Sequence, residues 1–369
     1  MDILANKYRP KKLADIIGQE SAVKILSNTI TSGQLHHAYI FGGKFGIGKT
    51  SCSRIFAASV NNKSGMTLEP DLSDPDILDI YEGKSKDVRE IDAASNRGIE
   101  DIRELKNVIQ YSPFVFKYRF VIIDEAHRLT GDGAEAALKM IEEPPKNVIF
   151  ILCTTDVDKL KETIHSRCIS LRFNKVPVET IFHNLKKIAT SEKIEIEDSA
   201  VRLAARLSKN SVRNSIQNLQ TLITFANGQK ITSEIAENAL SAVNENKYFD
   251  LVDAILKPDA GEAMRIIESI LCGGRDVGEV VNGLVDHLRT MLIIQTCQST
   301  AKLLFLTEEE KKKFTHQSKD LSIPIILYML DAISEVNKGI ALNLNPQTML
   351  EKFVVQSIIF GKTDRNNKS

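Results

Sequence analysis

The chain has 369 residues, of which 43% are apolar and 26% charged, and 48 lysines and arginines balance 48 aspartates and glutamates. This length and composition indicate a globular protein of two or three domains and exclude extensive disorder and collagen-like repeats. A net charge of zero also argues against a protein that coats nucleic acid through bulk charge, although it leaves room for a locally basic face.

Three further features bear on where the protein works. No apolar run reaches the roughly 18 residues of a transmembrane helix, so no membrane partner is expected. The N-terminal stretch MDILANKYRPKK lacks the apolar core of a signal peptide. The five cysteines are scattered and form no CxxC pair, which argues against disulfides and a cysteine-rich metal site. A cytoplasmic location is predicted.

Short β-rich runs alternate with helical stretches up to about residue 175. The predicted strands are residues 38–43, 88–92, 120–124, 148–153 and 169–173. Near-continuous apolar runs of this kind are typical of strands buried on both faces, so we predict an α/β domain with a parallel sheet and flanking helices. Residues 61–75 are polar, contain Gly and Pro, and are predicted to form a loop.

After Pro177 every segment carries apolar residues at helical spacing. The predicted helices are residues 178–190, 198–208, 211–226 and 231–243. They would form a compact helical subdomain, and a further all-α region would follow from about residue 244. The expected domains are therefore residues 1–175, 176–243 and 244–369.

Residues 43–50 read GKFGIGKT, a complete GxxxxGK[ST] motif between a predicted strand and a predicted helix. Its glycines let the backbone approach phosphate oxygens, and the N–H groups of the following helix supply positive potential. Lys49 would reach the β- and γ-phosphates, and the Thr50 hydroxyl would hold Mg²⁺. The alternative is an ordinary Gly-rich turn. The residues assigned to nucleotide binding are Gly43, Gly46, Ile47, Gly48, Lys49, Thr50 and Ser51.

Residues 120–125, FVIIDE, form a buried-strand run that ends in two carboxylates. This is the form of a Walker B motif, in which Asp124 would bind Mg²⁺ through water and Glu125 would polarise the attacking water. The alternative is a pair of acids that cap the next helix. With a GxxxxGK[ST] motif upstream, the two patterns predict a P-loop NTPase.

Residues 124–127 also spell DEAH, the box of one helicase group. The chain carries none of the accompanying helicase motifs and no second motor domain, so this interpretation fails. His127 is expected to be a structural residue at the start of a helix.

Polar residues follow at three further positions. Thr154 and Thr155 end the next predicted strand, beside the strand that carries Asp124, and could reach the γ-phosphate and the attacking water. Arg167 lies in a short polar turn just before the last predicted strand, and Arg213 opens the predicted helix SVRNSIQNLQ. The alternative for each threonine is an ordinary strand residue, and an arginine in such a position, taken alone, is usually solvated.

In this order the motifs are typical of AAA+ ATPases. More narrowly, the chain resembles the ATPase subunit (gamma/tau) of the bacterial DNA polymerase III clamp loader, over about residues 4–230. The strings that carry the resemblance are KYRPKKLADIIGQE (7–20), HHAYIFGG and GIGKTS (36–51), EIDAASNRGIEDIREL (90–105), VIIDEAHRLT (121–130), ALKMIEEPP (137–145), CTTDVDKL (153–160) and IHSRC (164–168).

The resemblance implies roles for several residues. Thr155, next to Thr154, falls on the sensor 1 position, and Arg213 falls on sensor 2, which contacts the phosphates of the subunit's own ATP. Arg167 falls on the arginine finger, which acts in trans on ATP bound by a neighbouring subunit. The residues that would pack near the adenine are Tyr8, Arg9 and Pro10.

One departure from the family concerns zinc. Family members typically carry a four-cysteine zinc module before the EIDAAS strand, whereas residues 53–152 contain no cysteine. The corresponding positions are near Asn62, Asp71, Asp74 and Ile77. They offer no thiolate and no tetrahedral set, so we predict no structural zinc. A loop packed around Leu72, Ile77 and Leu78 is expected instead.

The resemblance implies an AAA+ domain, a helical lid and an all-α collar that oligomerises. It also implies an ATPase subunit of a sliding-clamp loader, several copies of which join other loader subunits in a ring. ATP binding would open the clamp and engage primer–template DNA, and hydrolysis would release the clamp. The residues that could contact the DNA backbone are Arg97, Arg103 and Lys139, and the alternative for each is a solvated helix face.

Two other functions remain open from the sequence: a structural loader subunit that does not hydrolyse ATP, and another AAA+ remodeller such as a branch-migration motor or a helicase loader. The intact Lys49, Thr50, Asp124 and Glu125 disfavour the first, and the EIDAAS and SRC strings disfavour the second. Because the sequence stops after the third region, a short gamma-like form without polymerase-tethering segments is expected.

Overall fold

The computed structural model of the chain describes residues 3–95, 105–129, 131–240, 245–272, 276–297, 306 and 308–366. The chain divides into two compact units, Met1–Ser233 and Glu234–Ser369. Within the described residues, no helix combines the length and the apolar character needed to cross a membrane.

The first unit is built on a parallel sheet of five strands. The strands are β1 (Ala38–Gly42), β2 (Val88–Asp92), β3 (Arg119–Asp124), β4 (Val148–Thr154) and β5 (Ile169–Arg172), in the spatial order β2-β3-β4-β1-β5. All five predicted strands are confirmed to within one residue at each end. The register pairs Gly42 with Thr154 and Asp92 with Asp124, so the carboxyl ends of the strands meet at one edge.

Alternate residues of the central strands enter two separate cores. Tyr39 and Phe41 pack on one face of the sheet with Phe56 of a helix, whereas Ala38 and Ile40 pack on the other with Met140. Both faces are therefore covered, which is why these strands have nearly continuous apolar sequences. The predicted α/β class is confirmed.

Short helices complete the first unit. They are α1 (Leu4–Lys7), α2 (Glu20–Ser32), α3 (Lys49–Val60), α4 (Pro75–Glu82), α5 (Gly131–Glu142), α6 (Glu162–His165), α7 (Val178–Ser191), α8 (Asp198–Leu207) and α9 (Val212–Ala226). Residues 105–109 are helical as well. Helices α7 to α9, called the lid below, correspond to three of the four helices predicted for residues 176–243. Ser211 caps α9 by accepting a hydrogen bond from Asn214 N.

The second unit is helical throughout its described residues. Its helices are α10 (Ser233–Ala239), which begins at the boundary, α11 (Glu245–Leu256), α12 (Ala260–Leu271), α13 (Val277–Thr296), α14 (Glu308–Ser318), α15 (Ile323–Ala341) and α16 (Pro346–Asn366). They enclose one apolar core that includes Leu251, Leu284, Met329 and Phe353. The predicted all-α region is confirmed.

Residues 61–74 form an irregular loop held by polar contacts. Asn62 Oδ1 accepts a hydrogen bond from Asp71 N at 3.1 Å. Lys63 Nζ lies 3.0 Å from Asp74 Oδ2 and 2.8 Å from Asp76 Oδ2. Ile77 is fully buried, and Leu72 packs against the same core. Hydrogen bonds and ion pairs thus hold residues 61–74 together.

A candidate nucleotide-binding site

The loop after β1 wraps the N-terminus of α3. A Cβ atom at Gly43 would lie 2.4 Å from the carbonyl oxygen of Phe173, and Gly46 has φ +72°, so both positions require glycine. Ile47 is buried in the core and so anchors the loop to the sheet domain. Gly48 directly precedes α3. The loop can therefore hold its backbone N–H groups close to an anion without side chains in the way.

The first turn of α3 adds further donors. The first hydrogen bond of this turn runs from Cys52 N to Gly48 O at 2.8 Å. The N–H groups of Lys49, Thr50 and Ser51 precede that bond and point out of the helix N-terminus, where the helix dipole favours negative charge. This geometry is what a polyphosphate needs.

Lys49 is only 6% exposed, and its ammonium group lies across the loop. Its Nζ donates to Gly43 O at 2.6 Å and to Lys44 O at 2.9 Å. Burial lowers the pKa of Lys49, and the nearby carboxylates of Glu125 and Asp124 oppose that shift. An ammonium group held inside the loop can contact the β- and γ-phosphates directly and neutralise part of their charge.

Thr50 and Asp124 form the centre of the site. Thr50 Oγ1 donates to Asp124 Oδ2 at 2.8 Å, which joins α3 to the end of β3 although the two residues are 74 positions apart. A hydroxyl and a carboxylate in contact are the hard oxygen ligands that Mg²⁺ prefers when phosphates and waters supply the remainder. The residues present therefore fit Mg²⁺ bound together with a nucleoside triphosphate.

Glu125 is held beside Asp124 in a left-handed backbone conformation, with φ +48°. Its Oε2 accepts a hydrogen bond from Thr155 Oγ1 at 3.0 Å and lies 3.5 Å from His127 Nδ1. His127 Nδ1 in turn lies 3.0 Å from Thr154 Oγ1. Thr155, which directly follows β4, thus orients Glu125, while Thr154 holds His127 beside them.

The lid contacts the loop at Gly46. Ser211 Oγ and Arg213 N both donate to Gly46 O, at 3.3 and 3.2 Å. The guanidinium of Arg213 lies over the exposed ring of Phe45, 5.5 Å from its centroid. These contacts bring Arg213 to the nucleotide-binding loop. Ser211 and Phe45 are not among the residues predicted from the sequence. A Ser just before a helix signals a cap, but nothing in the sequence reveals its second contact.

The N-terminal segment lies between the lid and the sheet domain. Tyr8 Oη donates to Glu192 Oε1 at 2.5 Å, directly after α7, and this contact raises the pKa of Tyr8. Arg9 is half-buried, and burial, followed by the charge of Arg54, lowers the pKa of Arg9. Pro10 is half-buried as well. The predicted adenine-binding residues are therefore placed where the lid and α3 face each other.

Arg167 lies apart from these residues. Its Nη2 is 3.2 Å from Glu142 Oε1, at the end of α5, and its Nη1 donates to Thr163 O at 2.9 Å. Lys139 is an exposed residue of the same helix. The other two residues predicted to contact DNA, Arg97 and Arg103, lie outside the described residues.

The sheet order, the phosphate loop after β1, the acid pair after β3, the threonines after β4 and a lid that contacts the loop together define a P-loop NTPase of the AAA+ class. Comparison with known proteins identifies the family. The profile described as "DNA polymerase III, delta subunit" matches residues 18–177, and "DNA polymerase III subunits gamma and tau domain III" matches residues 231–359.

Curated relatives point to the same family. The chain is 36% identical over 297 residues to the gamma subunit of DNA polymerase III from Buchnera aphidicola, a match that covers 80% of this chain and 81% of that subunit. It is 33% identical to the Escherichia coli tau subunit and 30% identical to the Haemophilus influenzae tau/gamma subunit, covering 79% and 97% of this chain. The chain belongs to the family of DNA polymerase III gamma and tau subunits.

The matched lengths differ among these relatives. The chain spans 45% of the Escherichia coli subunit and 51% of the Haemophilus influenzae subunit. Among solved structures, a Thermotoga maritima RuvB matches at 20% identity with a TM-score of 0.49, covering 68% of this chain and 79% of that one. The Bacillus subtilis DNA clamp loader delta protein matches at 16% identity with a TM-score of 0.40, covering 91% and 99%.

Proposed function

We propose that the chain is an ATPase subunit of a DNA sliding-clamp loader. One observation carries the proposal: in a member of the gamma and tau family, the phosphate loop, Lys49, the Thr50–Asp124 contact and Glu125 are all present and brought together. A loader subunit that only supports the ring would not need to keep these four side chains in hydrogen-bonding geometry.

The residues of the loop bind and neutralise the triphosphate. The N–H groups of the loop and of Lys49, Thr50 and Ser51 surround the phosphates, and the Lys49 ammonium contacts the β- and γ-oxygens. Thr50 and Asp124 would hold Mg²⁺. When bound, Mg²⁺ offsets the charge that develops on the phosphate oxygens during transfer. Arg213 would reach the same phosphates from the lid.

Glu125 orients and polarises the water that attacks the γ-phosphate. Its carboxylate already has a fixed direction, because Thr155 Oγ1 donates to it at 3.0 Å. Positioning of this kind accounts for much of the rate enhancement in phosphoryl transfer, since the protein forms no covalent bond itself. Thr155 therefore acts as the sensor that links the end of β4 to the attacking water.

Hydrolysis in this proposal needs a second subunit. Arg167 belongs to the Ser-Arg-Cys turn, and its side chain is paired with Glu142 rather than with the residues around Lys49. We assign Arg167 to the ATP of a neighbouring copy, where it stabilises transition-state charge only when the ring is assembled. The residues assigned to the adenine end of the subunit's own site are Tyr8, Arg9 and Pro10.

The partners follow from the same proposal. Residues 1–175 form the ATPase domain, residues 176–243 the lid, and residues 244–369 a collar through which several copies join other loader subunits in the cytoplasm. ATP binding opens the clamp and engages primer–template DNA, and hydrolysis releases the clamp. Lys139 is the described candidate for a contact with the DNA backbone, which would be independent of sequence and sensitive to salt.

We infer that residues 61–74 fold without zinc. Lys63 bridges Asp74 and Asp76, and Asn62 binds the backbone of Asp71, so positions near those of the family's metal ligands are tied by charge and hydrogen bonds. Elemental analysis of the purified protein should find no stoichiometric zinc, and a strong chelator should leave the melting temperature unchanged. Bound zinc, or destabilisation by the chelator, would contradict this inference.

The decisive experiment measures ATP turnover of the chain assembled with its partner subunits, with and without clamp and primed DNA. The proposal expects clamp and primed DNA together to stimulate turnover. A rate of ATP turnover that does not change when clamp and primed DNA are added would exclude the loader function. An assembly that binds ATP without hydrolysing it would indicate a structural subunit. Arg167→Ala should keep ATP binding and lose hydrolysis in the ring, whereas weaker binding in the isolated chain would contradict a role in trans.

A further inference from the structure

Arg167 is held by three contacts from its own chain. Its Nη2 lies 3.2 Å from Glu142 Oε1, and its Nη1 donates to Thr163 O at 2.9 Å and to Ser166 Oγ at 3.2 Å. The Arg167 side chain nevertheless remains 40% exposed. A guanidinium has five N–H groups in a rigid plane, so these contacts fix the plane while leaving donors for another partner.

Glu142 occupies a position that does not favour an acid. It is the last residue of α5, and the partial negative charge at a helix C-terminus repels a carboxylate. The ion pair with Arg167 compensates this repulsion of the Glu142 carboxylate. The next residue, Glu143, is also exposed and acidic, but it takes part in no ion pair among the residues that the structure describes.

Glu142 and Arg167 lie on two segments that follow neighbouring strands of the sheet. The segment that includes α5 and ends at Glu142 follows β3, and the segment with Arg167 follows β4. Strands β3 and β4 pair directly. The ion pair therefore fixes the Arg167 turn against a second element anchored in the same sheet, rather than leaving it on a single loop.

We propose that Glu142 is a positioning residue for Arg167. It holds the guanidinium outward in one orientation, so that the γ-phosphate of ATP on a neighbouring copy meets an ordered donor. This inference rests on the proposed role of Arg167 in trans. The benefit arises because a long side chain that is already ordered loses less conformational entropy when it engages its target.

The test compares Glu142→Gln with Glu143→Gln in the loader assembled with its partner subunits. Glutamine keeps the size of the side chain and removes the charge. Glu142→Gln should lower kcat for ATP about 3- to 10-fold, which is the range expected when one long side chain must be ordered at each encounter. KM, and ATP binding by the isolated chain, should not change, because Glu142 lies outside the chain's own site. Glu143→Gln should behave as wild type.

A double variant separates positioning from a general structural effect. Loss of an arginine finger leaves a residual rate about 10³-fold or more below wild type, which single-turnover measurements of the assembled loader can follow. If Glu142 acts only through Arg167, Glu142→Gln combined with Arg167→Ala should not lower that residual rate below the rate of Arg167→Ala alone. A further loss in the double variant would overturn the inference. So would unchanged or raised kcat in Glu142→Gln, since a raised value would mean that Glu142 restrains Arg167.

The outcome also distinguishes this inference from the function on which it rests. If Arg167→Ala abolishes hydrolysis while Glu142→Gln does not alter it, only the positioning role fails. If Arg167→Ala is itself without effect, the role of Arg167 in trans fails. An exposed ion pair adds little stability, so Glu142→Gln should fold. Should it not, Glu142→Asp, which shortens the reach to Arg167, provides the same measurement.

Discussion

Ser211 Oγ donates a hydrogen bond to the carbonyl oxygen of Gly46 over 3.3 Å, and this contact joins the cap of lid helix α9 to the phosphate loop. The two residues are 165 positions apart in the chain. Arg213 N donates to the same oxygen, so the lid is attached at the point where a triphosphate would be held. The position of the lid and the conformation of the loop are therefore mechanically linked.

Gly46→Ala should weaken ATP binding strongly. The new Cβ would lie 2.1 Å from Ser211 Oγ, so the lid or the loop must move. Gly33→Ala is the matched control, because Gly33 has φ +69° and open space around its Cβ, which isolates backbone strain of about 1–2 kcal/mol. Adding Ser211→Ala should recover part of the affinity. Titration with a fluorescent ATP analogue gives the affinity of wild type, Gly46→Ala, Gly33→Ala and the double variant. Equal losses of affinity in Gly46→Ala and Gly33→Ala would refute the linkage between lid and loop.

Lys49→Ala should abolish turnover while Lys44→Ala should not. Lys49 is buried with its ammonium group inside the loop, whereas Lys44 is an exposed residue of the same loop. Removing one preorganised charge from a phosphoryl-transfer site costs about 100-fold or more in rate. A coupled ATPase assay on the assembled loader gives both rates. Full turnover in Lys49→Ala would show that the site is assigned to the wrong residues.

Asp87→Asn should destabilise the first unit by roughly 3–5 kcal/mol, because it leaves the buried Arg119 guanidinium without its counter-charge. Asp87 Oδ1 lies 3.2 Å from Arg119 Nη2, and both side chains are almost fully buried. Urea unfolding of the whole chain at pH 7 measures the loss. Asp79→Asn, on an exposed position of α4, is the control and should cost little.

The same pair has a defined pH dependence. Burial raises the pKa of Asp87, but hydrogen bonds from the N–H groups of Val115, Phe114 and Phe116 and from Arg119 outweigh it and hold the pKa below the ordinary value. The stabilisation is therefore present above the unfolded pKa of about 4 and is lost as pH falls through the folded value. The difference in free energy of unfolding between wild type and Asp87→Asn should become smaller in acid. A difference that grew as the pH fell would contradict this assignment.

His287 should make the second unit less stable in mild acid. Burial lowers the pKa of His287 to about 4, and its Nε2 lies 2.9 Å from Gln317 Oε1. The unfolded chain binds a proton near pH 6.5 and the folded one does not, so stability should fall by about 2 kcal/mol between pH 7 and pH 5. His287→Gln should reduce this loss of stability between pH 7 and pH 5, and melting temperatures measured at several pH values would detect the change. His316→Gln, at an exposed position, should retain it.

The sequence by itself determined the elements and the chemistry of the site. Continuous apolar runs located the three inner strands β1, β3 and β4, because burial on both faces leaves almost no polar position in them. The edge strands β2 and β5 are partly exposed and carry polar residues, and a shorter apolar pattern located them. Glycine, lysine and hydroxyl at fixed spacing located the phosphate loop, because only backbone flexibility and those donors suit a triphosphate. These features are local, and local sequence is enough to encode them.

Only the tertiary structure decided which distant residues meet. The strand order, the attachment of Ser211 to Gly46, the orientation of Glu125 by Thr155 and the pairing of Arg167 with Glu142 each depend on how helices and strands pack. A polar side chain on a helix or in a turn has the same local pattern whether it faces solvent or a partner far away in the chain. Its contacts are set by packing angles and register, which no short stretch of sequence specifies.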